Sequence, residues 1–466
     1  MAGIGFALRR LTQQDNLGGL AVAYAHAALV SSGPWLFTIV ALAGIDILAP
    51  RLVDPDALGL FRGIVIYDFC FSLVIAGPLT MVATRYLADR LFLKEADAAP
   101  GMLLGALAVL FAAEAVVAIP FYGILAELDA TMRVLAIVSF FVVGGIWLVA
   151  VFLTALKSFA AITRIFALGM AFAFAASLVL AAPYGAHGLL AGFTAGLAFI
   201  FFALVARVFI EYPYRPSRPF AFLAYFSRYW ELALAGLAYN LAIWVDKWVM
   251  WFAPEGSVRA GVLFSYSDYD GAMFLAYLSI VPGMSLFLVS LETRFYEQYL
   301  SFYRDLLGHA AYDQIADNHR RLMRLLADSF RNIALMQAVV CYLVAVLAPL
   351  LLDGLGSSIR QLGIFRFGVL GALFHALMLF ATVILAYFDL RRRVLAVYLV
   401  FLATNLGFTL ATRALGYPYY GYGYFLASLV SLVFAYLLVA RSVQRLPYLT
   451  FVANNPSLKP AAVQPS

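Results

Sequence analysis

The sequence predicts an all-α polytopic membrane protein, with about 12 transmembrane helices in two six-helix lobes around a central cavity. Three observations predict it. The chain is 65% apolar and 12% charged, with a mean hydropathy of +0.93, whereas a soluble chain carries roughly 25% charged residues to cover its surface. The apolar residues come in long unbroken runs, not in the alternating pattern of barrel strands. Lys and Arg gather in alternate loops, as the positive-inside rule requires. The same composition excludes disorder, collagen and coiled coil. In a membrane protein the net charge of +6 reports topology before it reports nucleic-acid binding.

A helix needs about 20 mostly apolar residues to cross the hydrocarbon. The first run, 20–48, follows Arg9 and Arg10 and is too long for the core of a cleavable signal, so it is expected to stay as a span. It contains Ser31-Ser32-Gly33-Pro34-Trp35. Pro34 removes a backbone donor there, which predicts a break that is either a gating hinge (Ser31, Ser32, Gly33, Pro34) or a passive kink. The second run, 62–87, opens with Tyr67-Asp68 and leaves through Thr84-Arg85-Tyr86. Runs at 100–124, 132–156, 162–182 and 188–210 complete a first lobe, residues 1–210.

Residues 211–228, with Pro213, Pro216 and Pro219 among basic residues, read as a cytoplasmic linker. Six further runs, 229–253, 271–291, 330–352, 362–388, 394–413 and 420–440, place a second lobe at 229–445, before a cytoplasmic tail at 446–466. The halves echo each other weakly: Tyr269-Asp270 precedes the eighth run as Tyr67-Asp68 opens the second, and Thr293-Arg294-Phe295 matches Thr84-Arg85-Tyr86. An even number of spans per half gives repeats of the same orientation. Between the eighth and ninth runs, 292–330 is a long segment in which Phe295, Tyr299, Phe302, Leu306 and Ala310 recur at helical steps. This amphipathic stretch, with Arg294 and Tyr303, reads as a helix in the lipid interface, as a docking segment for a cytoplasmic partner, or as both.

With the N-terminus inside, 23 basic residues fall on the cytoplasmic side and 7 outside, with Lys247 within a span. Both termini are therefore expected in the cytoplasm. Cys70 and Cys341 lie inside apolar runs and the five histidines are scattered, so neither a disulfide framework nor a metal site or other cofactor is expected.

Ionisable groups within spans cost about 2.5–3.5 kcal/mol at a helix centre and are functional candidates by default. Glu114 sits mid-span without a cation within a helical turn, either facing a cavity or bonded in neutral form to a neighbouring helix. Asp246 and Lys247 are consecutive and point about 100° apart, so they are not expected to satisfy one another. Asp246 shares a face with Tyr239 and Ala242, and Lys247 with Asn240, Trp244 and Trp251; both lie toward the outer end, where Trp248 and Trp251 read as an aromatic belt, and Lys247 is placed to snorkel to the outer headgroups. Asp68, early in its span, is open to hydration from outside, while His26, His375 and Asn405 are carriers of substrate or protons or simply interhelical bonds. The substrate path or coupling site is thus expected among Glu114, Asp246, Lys247, Asp68, Asn240 and His375. The outer turn from Tyr417 to Tyr424 reads mainly as an aromatic belt, with sugar stacking as the alternative.

Gly3-Ile4-Gly5-Phe6, Ser31-Ser32-Gly33-Pro34-Trp35, Thr84-Arg85-Tyr86-Leu87-Ala88-Asp89, Trp244-Val245-Asp246-Lys247 and Glu292-Thr293-Arg294-Phe295-Tyr296 together resemble the Pel exopolysaccharide transporter family, PelG. The resemblance runs through essentially the whole chain. It implies a twelve-helix transporter of the multidrug/oligosaccharidyl-lipid/polysaccharide exporter superfamily. It also implies export of an amino-sugar polymer for biofilm matrix across the bacterial inner membrane, by alternating access or as a conduit. A cytoplasmic glycosyltransferase and membrane-anchored, cyclic-di-GMP-responsive components of the same complex are the partners it implies.

Two rival functions stay open. A polytopic glycosyltransferase would use Asp54-Pro55-Asp56 in the first outer loop, although the outer loops are short and such an Asp pair is common in turns. A drug–cation antiporter of the same superfamily would share the fold. The expectation is a non-enzymatic transporter.

Overall fold

The computed structural model describes residues 17–155, 159–290, 295–308, 310–354 and 360–446. Where no water is available to backbone groups, apolar segments close their hydrogen bonds within helices. The chain accordingly forms α1 (Leu17–Leu48), α2 (Pro55–Phe92), α3 (Ala98–Pro120), α4 (Ala130–Ala155) and α5 (Phe159–Glu211). After two short helical turns come α6 (Trp230–Trp251), α7 (Ser267–Leu278), α8 (Val281–Ser290), α9 (Tyr296–Leu307) and α10 (Tyr312–Gly354). The chain then forms α11 (Gln361–Tyr387), α12 (Arg391–Leu415) and α13 (Tyr422–Gln444). Among the described residues, 10 helical stretches are long and apolar enough to cross a membrane. This is a multi-pass membrane protein.

One of those stretches is a folded pair. As a straight rod, the 53 residues of α5 would reach about 80 Å, more than twice the hydrocarbon thickness. Instead the chain turns back at Gly185, with φ 57° and ψ −130°, a conformation that costs a glycine little and a side-chain-bearing residue much. Pro183 ends the first arm, and Ser177 Oγ donates to Leu189 O at 3.1 Å across the two arms. α6 falls outside the ten because Glu231, Asp246 and Lys247 lower its hydropathy.

The structure corrects two expectations about helix continuity. The break predicted at Gly33-Pro34 does not occur, since α1 runs helical through both, and Thr38 Oγ1 donates to Pro34 O at 2.9 Å. Conversely, the run 271–291 is not continuous: α7 ends at Leu278 and α8 begins at Val281, just before Pro282. Pro282 cannot donate to the preceding turn. Gln337 Nε2 of α10 donates to Ser279 O at 2.6 Å, so a carbonyl in the turn between α7 and α8 finds a side chain instead of lipid.

Helix starts are built locally. Asp54 accepts from Ala57 N at 2.7 Å with Pro55 in the first turn of α2. Asp129 Oδ1 accepts from Thr131 N at 3.0 Å and Met132 N at 3.1 Å at the start of α4, while its Oδ2 meets His187 Nε2 at 2.8 Å. A small antiparallel hairpin, β1 (Ser257–Arg259) and β2 (Leu263–Ser265), follows α6.

Packing follows the chain. α4 packs on α2, α3 and α5, and α1 packs on α5. In the second half α12 packs on α6 and α13, and α11 packs on α7, α10 and α13. α2 meets α6 and α1 meets α8 across the halves. The α2–α6 approach depends on small residues: a Cβ at Gly77 would lie 2.8 Å from Gly236 O, and one at Gly236 would lie 2.9 Å from Met81 Cγ and would also collide with Gly77 O. Gly236→Val should therefore lower stability by about 1–3 kcal/mol through overpacking, seen as a lower melting temperature in detergent, with Gly271→Ala, in open space, as the neutral control.

The bonds to Met132 and then to His187 hold the Asp129 carboxyl below its usual range. A depressed carboxylate pKa gives stability that is present above the unfolded-state pKa of about 3.9 and lost as pH falls through the folded value. Asp129→Ala should cost about 0.5–1 kcal/mol at pH 7. That difference should shrink in melts as pH falls below the unfolded-state value and close once it has passed below the folded one.

Candidate functional site

Two groups of buried polar side chains lie in the helices, one in each half. In the first, Asp68 of α2 is 0% exposed, and Tyr122, just beyond α3, donates to its Oδ1 at 2.7 Å, with Ser139 of α4 adjoining. This corrects the expectation that Asp68 is hydrated from outside; the turn Phe121–Leu125 after Pro120 carries Tyr122 over it. Glu114 of α3 is also 0% exposed, and neither of its carboxyl oxygens has a hydrogen-bond partner among the described residues. Its Oε1 lies where a Cβ at Gly144 of α4 would stand, and Asp68 is near enough to act on it electrostatically. The Ser72 and Thr194 hydroxyls and the Trp147 indole N–H are likewise buried in this half without partners.

The second group centres on Asp246, also 0% exposed. Lys247 Nζ donates to both oxygens of Asp246 at 3.1 Å and to Ile243 O at 3.0 Å. The two residues thus pair, against expectation. Their Cα–Cβ bonds diverge, but the four-carbon lysine stem is long enough to fold back across the helix surface. Snorkelling is excluded by the same geometry: Lys247 is 6% exposed, with its ammonium 4.8 Å from the Tyr277 ring centre and 5.8 Å from that of Tyr424.

Three other helices complete this group. Tyr269 OH of α7 donates to Asp246 Oδ2 at 3.0 Å. Asn405 of α12 donates to Ala242 O at 2.8 Å and is 3.4 Å from Asp246 Oδ1, its own Oδ1 accepting from Thr409 at 3.3 Å. His375 of α11, 1% exposed, sits between Tyr239 OH at 3.2 Å and Tyr424 OH at 2.8 Å. Asn240, 9% exposed, belongs to the α2–α6 contact beside Gly77 rather than to this network.

At the predicted outer end, α6 ties the halves together. Trp251 stacks on Tyr67 at 4.9 Å and donates to Asp270 at 2.9 Å, while Trp248 stacks on Phe71 at 5.2 Å and donates to Cys70 Sγ at 3.1 Å. These tryptophans were expected as a lipid-facing belt. They are instead interhelical contacts.

The segment expected at the interface shows a similar reversal. Phe295 and Phe302 are 2% and 0% exposed. Phe295 and Tyr299 pack on Tyr387 at the end of α11, and Tyr299 OH donates to Tyr387 O at 3.3 Å. Tyr303 packs on Tyr299 at 4.7 Å, and burial pushes its hydroxyl up to about 12. The aromatic stripe therefore faces protein, not lipid. Arg294, together with the opening Gly3–Phe6 motif, lies outside the described residues, as do the side chains of His26 and Ser31, while Ser32 is buried at 9% exposure.

Sequence reasoning missed Tyr122, Tyr269, Tyr277 and Tyr424. Tyr269 carried a signal, since it echoes Tyr67, yet the two have diverged: Tyr67 OH pairs with Phe264 N at 2.9 Å, while Tyr269 serves Asp246. Tyr424 was read as belt; it is 0% exposed and bonded to His375. Asp54, a catalytic candidate of the glycosyltransferase reading, is the cap of α2.

A family model named PelG and described as "Putative exopolysaccharide Exporter (EPS-E)" matches residues 1–451. Comparison with curated proteins gives no match. Among solved structures the chain is similar to a MATE protein in its straight conformation, with a TM-score of 0.58, 14% identity, and 91% of this chain and 96% of that one covered. It is similar to the outward-facing form of a multidrug resistance MATE family transporter of the MOP superfamily, at 0.56, 14%, 91% and 96%. It is also similar to a MOP superfamily transporter from Pyrococcus furiosus Vc1 (DSM3638), at 0.57, 14%, 90% and 96%. The shared feature is the fold.

Removing one member of a buried ion pair strands the other charge, which typically costs about 3–5 kcal/mol, while replacing both costs far less. Asp246→Asn and Lys247→Met alone should each sharply lower the melting temperature of the purified protein, and the double variant should recover most of the loss. Additive losses would contradict the pairing.

Proposed function

Because the chain belongs to the PelG exopolysaccharide exporter family, we propose that it carries a Pel-type amino-sugar exopolysaccharide outward across the bacterial inner membrane. In this reading both termini are cytoplasmic, residues 1–210 and 229–445 form two lobes joined by 211–228, and the polymer passes between them. The source of the chain is a cytoplasmic glycosyltransferase working with membrane-anchored, cyclic-di-GMP-responsive partners.

The observation that carries the proposal is the buried Glu114, with both carboxyl oxygens unpartnered, in a spanning helix of a transporter fold. A group that costs about 2.5–3.5 kcal/mol to place there, and that receives no compensating bond, serves something other than packing. Asp68 beside it and the Asp246–Lys247 pair in the other half supply further groups able to answer a passing ion or sugar. Neither Glu114 nor Asp68 has a fixed cation against it, so this half is the better suited to exchange a proton or bind a metal cation during transport.

The shared fold with MATE transporters favours one second reading, drug–cation antiport. A deletion strain separates the two, because polysaccharide export predicts polymer lost from the medium or trapped inside, while antiport predicts drug sensitivity with polymer unaffected. Complementation with Glu114→Gln and, separately, Asp246→Asn, each at normal membrane abundance, should leave secretion severalfold below wild type. Secretion at wild-type levels from both would remove these residues from the transport step.

A further inference from the structure

The β1–β2 hairpin belongs to the second half of the chain but is held by the first. Its strands pair through Ser257 with Ser265, Val258 with Phe264 and Arg259 with Leu263, which leaves Ala260, Gly261 and Val262 as the tip. Tyr67 of α2 closes the free edge of β2: its hydroxyl accepts from Phe264 N at 2.9 Å and donates to Phe264 O at 3.1 Å. At the tip, Glu127 N, in the connection between α3 and α4, donates to Ala260 O at 3.0 Å. The Arg259 guanidinium lies against Gly59 of α2, so close that a Cβ there would stand 2.5 Å from its Cζ. One short hairpin thus ties itself to two elements of the other half.

The backbone of the tip is shaped for this contact. Ala260 and Gly261 both have positive φ, 45° and 73°. A glycine takes that geometry at little cost, whereas the Cβ of Ala260 makes it unfavourable. Such a conformation persists only where its surroundings impose it. The carbonyl of Ala260 is the one that meets Glu127.

The same contacts reach a buried carboxyl through two consecutive pairs of residues. The Tyr67 ring stacks on Trp251 at 4.9 Å and on Phe121 at 5.4 Å. Asp68 follows Tyr67 in the chain, and Tyr122, the donor to Asp68, follows Phe121. A movement of Tyr67, or of the turn at 121–127, therefore disturbs the hairpin and the cover of Asp68 together. We propose that the hairpin is a strap that keeps the outer end of the seam between the halves shut and Asp68 covered, and that it releases Tyr67 and Glu127 before the halves part there. Its role and its outward placement rest on the exporter reading.

The two native cysteines report on the strap. Cys70, 0% exposed, lies in the seam and accepts from Trp248 of the other half, whereas Cys341, 1% exposed, is bonded to Val369 O within the second half. Spheroplasts, which present the outer face, are treated with a charged, membrane-impermeant methanethiosulfonate, and modification of both cysteines in the full-length protein is followed by mass spectrometry. Tyr67→Phe keeps the ring and loses the hydroxyl, and it should speed modification of Cys70 about tenfold while leaving Cys341 unchanged. Arg259→Ala, on the half-buried end of β1, should speed it severalfold. In the purified variants the amides of residues 121–127 should also exchange hydrogen faster than in wild type.

Unchanged Cys70 rates in both variants, or faster modification only in inverted membrane vesicles, would overturn the strap. Cys341 rising in step with Cys70 would do the same, since it reports general loosening. Unchanged exchange at 121–127 would overturn the link to Asp68. The exporter reading fails separately: a deletion strain that still secretes polymer would end it while faster Cys70 modification stands, and lost secretion with unaltered modification in the variants would end the strap alone.

Discussion

A lysine folded back onto the aspartate that precedes it organises the second half of this protein. In hydrocarbon, a lone ammonium or carboxylate is too costly to keep, and an ion pair is tolerable only when its remaining valences are filled. Lys247 and Asp246 meet that requirement by drawing on every surrounding helix: Tyr269 from α7, Asn405 from α12, and Tyr277 and Tyr424 around the ammonium. His375 extends the network, fixing Tyr424 through its other ring nitrogen while reaching Tyr239. The packing of α6 against α12 and of α11 against α13 is therefore also a hydrogen-bonding arrangement. Loss of one charge would be felt across all of these helices.

The first half has no such ion pair at its centre among the described residues. Asp68 has a tyrosine, Glu114 has none, and several further buried hydroxyl and indole groups stand without partners. Buried polar groups are nearly always satisfied in stable interiors, so the unpartnered carboxyl of Glu114 is the costliest exception among the described residues, and on the exporter reading it is the group a mobile species would meet. The two halves thus differ in how their central carboxylates are held: Asp246 has a lysine against it, whereas Asp68 and Glu114 have no cation.

Much of this was legible in the chain. Hydropathy marks the spans, and the Tyr67-Asp68 and Tyr269-Asp270 echo points at two positions that the structure shows to be buried. Asp54-Pro55 reads as turn chemistry and is a helix cap. What the sequence concealed has one common cause. Helical spacing reports which side chains share a face, but not whether that face meets lipid or another helix, because both are apolar. Hence Trp248 and Trp251 look like a membrane belt and prove to be interhelical contacts, and the Phe295–Phe302 stripe looks interfacial yet packs on Tyr387. Proline is similarly ambiguous: Pro34 leaves its helix intact, whereas Pro282 marks a break where the Ser279 carbonyl accepts from Gln337, a residue 58 positions away from it.

The contact between α2 and α6 sets the terms of any transport through the molecule. It runs from Tyr67 on Trp251, past Gly77 against Gly236, to Tyr86 against Tyr225 at the opposite end. Along this line the halves are joined by stacking, by a weak indole–thiol bond, by close backbone approach and by the Phe264 N–Tyr67 OH hydrogen bond at 2.9 Å. Among the described residues, the charged pair beside it, Arg85 with Asp389, is long at 3.8 Å. Stacking contacts contribute about 0.5–1.5 kcal/mol each, and none leaves a buried charge exposed when broken. On the exporter reading, opening this seam would leave the Asp246 network intact, because its bonds among the described residues stay within the second half. On the exporter reading, a path for a sugar polymer opened there would be lined by the rings of Tyr67, Phe71, Trp248 and Trp251, faces suited to polyhydroxylated rings and able to slide along them.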